Sequence, residues 1–154
     1  MRHSTSSDAV TFYPTIWNVL HDGSIIAIHG AVPGTVRLAV SIDYLRERFP
    51  DSGDTIQVTL TGCARFAYRD FDVGEFTTDL RTITSMEPEV LSAKLQGDLN
   101  EIDCVNGVLE VIATDGSLAL DSGRAITLQE LLDVSEAYWT EFGERAKKAR
   151  QESP

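Results

Sequence analysis

Apolar and polar residues alternate along most of the first two thirds of the chain. In residues 35–42, Val36, Leu38, Val40 and Ile42 fall on one side and Thr35, Arg37 and Ser41 on the other. Residues 54–61 repeat the pattern, with Ile56, Val58 and Leu60 against Thr55, Gln57, Thr59 and Thr61. Residues 64–69 set Phe66 and Tyr68 against Arg65 and Arg69. A period of two marks strands with one dry and one wet face, and hence an antiparallel sheet. Residues 24–29 (SIIAIH) add a strand after the turn dipeptide Asp22-Gly23. Residues 102–104 and 108–113 flank Asn106-Gly107, which predicts a type I′ hairpin because both residues tolerate positive φ. Asp115-Gly116 then predicts a turn into 117–120, completing a meander. Residues 90–96 alternate Leu91, Ala93 and Leu95 against Ser92, Lys94 and Gln96, yet a helix over 85–97 capped by Ser85 and Gly97 fits as well. Residues 14–20 (PTIWNVL) suit a short helix or an edge strand, and 43–49 one or two helical turns stopped by Pro50.

The last segment changes period. Thr127 and Glu130 form a capping box, each satisfying an orphan amide of the other. Leu128, Leu131, Leu132, Tyr138, Trp139 and Phe142 recur at helical spacing, which predicts a core-facing stripe. Arg145, Lys147, Lys148 and Arg150 collect at the carboxyl end, where the helix dipole favours cations. Gly143 is expected to weaken the last turns, and Trp17 and Trp139 to lie in the core. The predicted class is α+β: a mostly antiparallel, curved sheet of about seven strands, a meander or partly closed barrel, with one long helix over 127–150 packed on it. Residues 1–10 are expected to be a disordered tail, 11–150 a single α+β domain and 151–154 a frayed end.

With 154 residues, 42% of them hydrophobic and 24% charged, the chain is long enough for a core without disulfides or metal. No apolar run reaches the ~18 residues of a membrane helix, and the start MRHSTSSD lacks the apolar centre of a signal peptide. Two cysteines, 41 positions apart in sequence, suit a reducing, cytoplasmic setting better than a stapled scaffold or a zinc site. The net charge of −11 is concentrated. Residues 70–121 carry twelve acids against Arg81 and Lys94 alone, while residues 1–69 balance six against six. That field argues against nucleic acid and anionic membrane, and for solubility or a basic protein partner.

Motifs of chemistry are thin. His21-Asp22 lacks the further ligands of a metal-hydrolase centre, so no metal or cofactor is expected. Cys63 has His21 or His29 as its only conceivable bases and nothing nearby to depress its pKa; both cysteines read as small buried hydrophobes. Asp70, Asp72 and Glu75 alternate beside Gly74 as in calcium loops, but Leu80 stands where the bidentate glutamate belongs. What remains is an acidic loop with two aromatics. The resulting expectation is a non-catalytic interaction module that engages a basic partner through Asp70, Phe71, Asp72, Glu75, Phe76, Asp79, Glu87 and Glu89. Its small, acidic profile resembles that of bacterial accessory and toxin-neutralising (immunity-type) proteins, a likeness of composition alone. The alternative is a small-molecule-binding or weakly catalytic barrel in which Arg37, Arg65 and Arg69 face a cavity near His21, His29 or Cys63. Monomer and homodimer, the latter through exposed strand edges, suit either.

Overall fold

The computed structural model describes residues 15–152. Helix α1 (Thr15–Val19) precedes the hairpin of β1 (Ser24–Gly30) and β2 (Gly34–Ser41), and α2 (Asp43–Arg46) leads into β3 (Thr55–Cys63) and β4 (Arg65–Asp70). Strand β5 (Phe76–Thr77), helix α3 (Leu80–Met86), β6 (Val90–Gln96), β7 (Leu99–Cys104), β8 (Gly107–Ile112), β9 (Asp115–Leu120) and β10 (Ala125–Ile126) follow. The long helix α4 (Leu128–Glu152) ends the order. The predicted tail over 1–10 lies outside the described residues, as do 11–14 and the last two of the predicted frayed end.

The class is α+β and every strand pair is antiparallel. The expected single curved sheet is instead two: a first sheet in the order β1-β2-β3-β9-β10 and a second in the order β5-β4-β8-β7-β6. A corner makes the difference. Only Ala64 separates β3 from β4, and only Ala113 and Thr114 separate β8 from β9. The Ala64 amide donates to the Ile112 carbonyl at 2.8 Å and the Thr114 amide to the Thr61 carbonyl at 3.0 Å. The ladders β3/β9 and β4/β8 are therefore one long pair bent from sheet to sheet. Gly62 sits at the bend with φ +61°, where a Cβ would also run into the Thr114 side chain.

Two turn expectations fall with the meander. Asp115 and Gly116 lie inside β9, opposite Thr61 and Leu60, so β9 lies beside β3 and not beside β8. The β7–β8 loop is Val105 and Asn106, with Gly107 already paired to Cys104. Neither Asn106 nor Gly107 has positive φ, so the turn is not type I′. Glycine is required at 107 for a different reason: a Cβ there would run into the backbone carbonyl oxygen of Arg69 and meet the Tyr68 hydroxyl at 2.7 Å.

Residues 90–96 resolve as strand, and the helical residues come earlier, as α3. The outer edges of the two sheets touch through an antiparallel bridge between Ser24 and Glu89, supported by Asp22 N–H to Val90 C=O at 2.7 Å and Val90 N–H to Gly23 C=O at 2.9 Å. Farther along β6, the Asn18 side chain imitates a strand: its Nδ2 donates to the Ala93 carbonyl at 3.2 Å and its Oδ1 accepts from the Ala93 amide at 3.0 Å. This docks α1, and Ile16, Trp17 and Leu20 are fully buried.

The core lies between the sheets. Val36, Leu38, Val40, Ile56, Val58 and Leu60 face Phe66, Tyr68, Ile102, Leu109 and Val111 in one cluster, with Leu131 of α4 joining it. The capping box forms as predicted: the Thr127 amide donates to Glu130 at 2.9 Å and the Glu130 amide to the Thr127 hydroxyl at 3.0 Å. Trp17 is core, but Trp139 is not; it is 39% exposed and Phe142 48%. The stripe is helical as expected, yet almost every residue of α4 beyond Tyr138 is exposed, and Gly143 does not end the helix.

Among the described residues one charged side chain is inside. Arg46 is 2% exposed and donates to the Asp121 carboxylate at 2.8 and 3.0 Å, to the Thr55 carbonyl at 3.1 Å and to the Asp51 carbonyl at 2.9 Å. The second Asp121 oxygen accepts the amides of Asp54 at 2.7 Å and Thr55 at 3.1 Å. This clamp ties α2 to the start of β3 and the end of β9.

Candidate protein-interaction surface

The acidic loop is built by its first residue. Asp70 Oδ1 accepts the amides of Asp72 at 2.9 Å and Val73 at 3.4 Å, while the Gly74 amide donates to the Asp70 carbonyl at 2.8 Å. Such a side-chain turn reverses the chain, and β5 returns with Phe76 opposite Arg69. The Phe76 ring lies on the outer face of the second sheet under two guanidinium groups, Arg65 at 5.3 Å and Arg69 at 5.5 Å. Arg69 also stands 5.8 Å from the Phe71 ring. Each contact is a cation–π geometry. Ala67, between the two arginines on that face, is fully buried beneath them.

Arg65 continues the pattern across the sheet. It pairs with Glu110 at 2.8 Å; Glu110 stands directly opposite Glu101, which pairs with Lys94 at 3.1 Å. Like charges facing each other across a ladder destabilise it; here a cation flanks each carboxylate and offsets the repulsion. The acidic–aromatic loop and the arginines Arg65 and Arg69, separate candidates in the sequence, thus form one surface. Arg37 does not join them. It lies exposed on the first sheet, between His29 and Thr59.

The loop also joins the end of the second sheet. The Phe71 amide donates to the Asn106 carbonyl at 2.9 Å, and the Val105 amide to the Glu89 carbonyl at 3.0 Å. Along this rim Phe71 is 56% exposed, Val73 61%, Phe76 40%, Leu91 45% and Val105 45%. These are five of the eight exposed large hydrophobics of the described residues. Asp72, Glu75, Glu87 and Asp103 are exposed among them, and Glu89 is half-buried at the seam between the sheets. Two of the predicted residues also make local hydrogen bonds: Asp70 holds the loop, and Asp79 accepts the Thr82 hydroxyl at the start of α3, a bond that lowers its pKa. Val73 belongs to the loop itself, between Asp72 and Gly74, whereas Leu91, Asp103 and Val105 join the rim from β6, β7 and the turn after β7, and nothing in their spacing along the chain places them beside the loop.

Two clefts of ligand size open elsewhere on the fold. One, of about 830 Å³, lies between α2 and α4, with Tyr44, Tyr138, Glu47 and Glu141 on its walls. Aromatic rings and carboxylates suit a cation, but the chain supplies its own: Arg48 stands 5.4 Å over the Tyr138 ring and pairs with Glu141. Burial, then the Asp22 charge, push the Tyr44 phenol up to about 12, so it stays a donor to the His21 carbonyl at 2.9 Å. The other cleft, about 810 Å³, runs between β1 and α3 past His29, Asp79 and Arg81. Arg37, Arg65 and Arg69 line neither. His21 is stacked on Trp139 at 5.4 Å, with its Nδ1 2.9 Å from the Asn18 carbonyl. Among the described residues no three His, Cys, Asp or Glu side chains are gathered as a metal ion needs, and no helix is long and apolar enough to cross a membrane.

Cys63 and Cys104 are free and buried. Burial raises the Cys63 pKa and pushes Cys104 up to about 12, against the activation a nucleophile requires. Both thiols are therefore expected to ignore a disulfide reagent such as DTNB in the native protein at neutral pH, and to react in full once it is unfolded in guanidinium. Rapid labelling of either in the native state contradicts this placement.

No protein-family model, curated protein or solved structure matches the chain.

Proposed function

We propose that this protein is a non-catalytic interaction module whose acidic, aromatic rim at the end of the second sheet docks a basic protein partner. The observation that carries the reading is the clustering of Phe71, Val73, Phe76, Leu91 and Val105 along one rim, interleaved with Asp72, Glu75, Glu87 and Asp103. Exposed apolar groups framed by charge are the anatomy of a protein interface. The sign of the frame selects a cationic partner and repels phosphate backbones. A cationic enzyme or toxin, neutralised by occupation of its charged surface, is the class of partner that fits. Buried free thiols suit action in a reducing cytoplasm.

The test is affinity capture from the source cells at low salt with three baits: the wild-type chain, Phe71→Ala, and Arg37→Ala as a control on the other sheet. The expected result is a basic protein retained by wild type and Arg37→Ala and lost with Phe71→Ala. Equal retention by all three baits counts against the rim.

A further inference from the structure

The outer half of α4 points to a second, independent interface. Leu128, Leu132, Ser135, Trp139, Phe142 and Ala146 follow one another at intervals of four and three, a strict heptad stripe. The first part of that stripe packs on the core, whereas Trp139 and Phe142 remain 39% and 48% exposed. Between them and the end of the helix stands Gly143. Nothing lies within 4 Å of where its Cβ would be, and it has no positive φ, so the fold itself does not require glycine there. A mid-helix glycine costs about 1 kcal/mol relative to alanine. An absent side chain beside an exposed aromatic stripe fits a backbone brought close from outside the chain.

We propose that this half of α4 pairs with the same helix of a second copy, antiparallel, about a two-fold axis at Gly143. The helix is self-complementary in that arrangement. Its charge runs from acidic, with Glu136 and Glu144, to basic, with Arg145, Lys147 and Arg150. Reversal about Gly143 sets Glu136 opposite Arg150 of the partner subunit, and the symmetry makes the contact twice. The neighbouring layer places Phe142 against the small Ala146 of the partner subunit, and the two Gly143 residues face each other where the helices approach most closely. Arg145, near the axis, keeps the favourable field of Glu141 one turn earlier on its own helix. The acidic rim plays no part in this contact, so either can fail without the other.

Sedimentation equilibrium of the full chain over a wide concentration series tests the pairing. The chain of 16.9 kDa is expected to pass reversibly to twice that mass. Glu136→Lys and Arg150→Glu should each weaken the dimer about tenfold, since one substitution alters two symmetric ion pairs and creates repulsion in both. The double exchange should restore it. Gly143→Leu should abolish the dimer while circular dichroism shows the helix retained. A monomer at every concentration overturns the proposal and leaves the face to another occupant. A dimer indifferent to Gly143→Leu, or weakened by both charge changes without rescue in the double variant, overturns it equally.

Discussion

Asp121→Ala is expected to destabilise the protein by about 3–5 kcal/mol, the cost of leaving a buried charge without its partner. Arg46 is almost fully enclosed, and its head group is satisfied by Asp121, the Thr55 carbonyl and the Asp51 carbonyl. Removing the carboxylate strips the guanidinium of its counter-charge and frees the amides of Asp54 and Thr55 as well. The second half of the clamp sharpens the effect, because Arg124 and Ser122, next in the same turn, hold Asp51. Guanidinium unfolding of Asp121→Ala, Arg46→Met and the double variant measures it. The double variant should be more stable than Asp121→Ala alone, since an apolar side chain leaves no stranded charge. Equal stability of wild type and Asp121→Ala contradicts the clamp.

The same carboxylate sets an acid limit. Burial acts to raise the Asp121 pKa, but the Asp54 amide, Arg46 and the Thr55 amide outweigh it and hold the group at about 2. Its folded value is depressed, so the stabilisation is fully present above the ordinary carboxylate range and is lost as pH falls from about 4 toward 2. Asp121→Asn should flatten stability against pH in that window.

Phe71→Ala carries the second large effect, on binding. A central aromatic in a protein interface commonly accounts for 2 kcal/mol or more, which is about thirtyfold or more in affinity. Phe71 is the most exposed ring of the rim, and its backbone is tied to the β7–β8 turn, so truncation removes contact area without releasing the loop. The loss should appear in the dissociation rate, because no charge changes. Phe76→Ala should weaken binding too, but it also uncovers Arg65, Arg69 and Ala67 and so costs stability. Surface plasmon resonance with the captured partner, beside a thermal melt of each variant, separates the two. An unchanged dissociation rate in Phe71→Ala removes it as an anchor.

How much of this was legible from the chain depends on the range of the interaction. Alternation in 35–42 and 54–61 gave strands because each residue reports its own face. The Thr127–Glu130 box gave the start of α4 because both partners lie within one turn. The split into two sheets was not legible: it rests on Gly62 meeting Thr114, far apart in sequence. Nor was α3, whose apolar positions, Leu80, Ile83 and Met86, span barely two turns. Trp139 belonged to a genuine helical stripe, but a stripe does not say where the body beneath it ends. The site divides in the same way. Phe71 and Phe76 stood out locally, while their stacking on Arg65 and Arg69 needed the Asp70 turn, and Val105 and Leu91 reach the rim only through β6 and β7.

The most direct test of the docking rim is the association rate with the captured basic partner over a salt series, for wild type and for Asp72→Asn/Glu75→Gln. The account predicts a rate that falls steeply with salt in the wild type, and a lower rate with a shallower slope in the variant, because these two carboxylates steer the encounter without holding the loop. Equal rates at low and high salt, or identical slopes in the two proteins, would contradict an acidic docking surface at this rim.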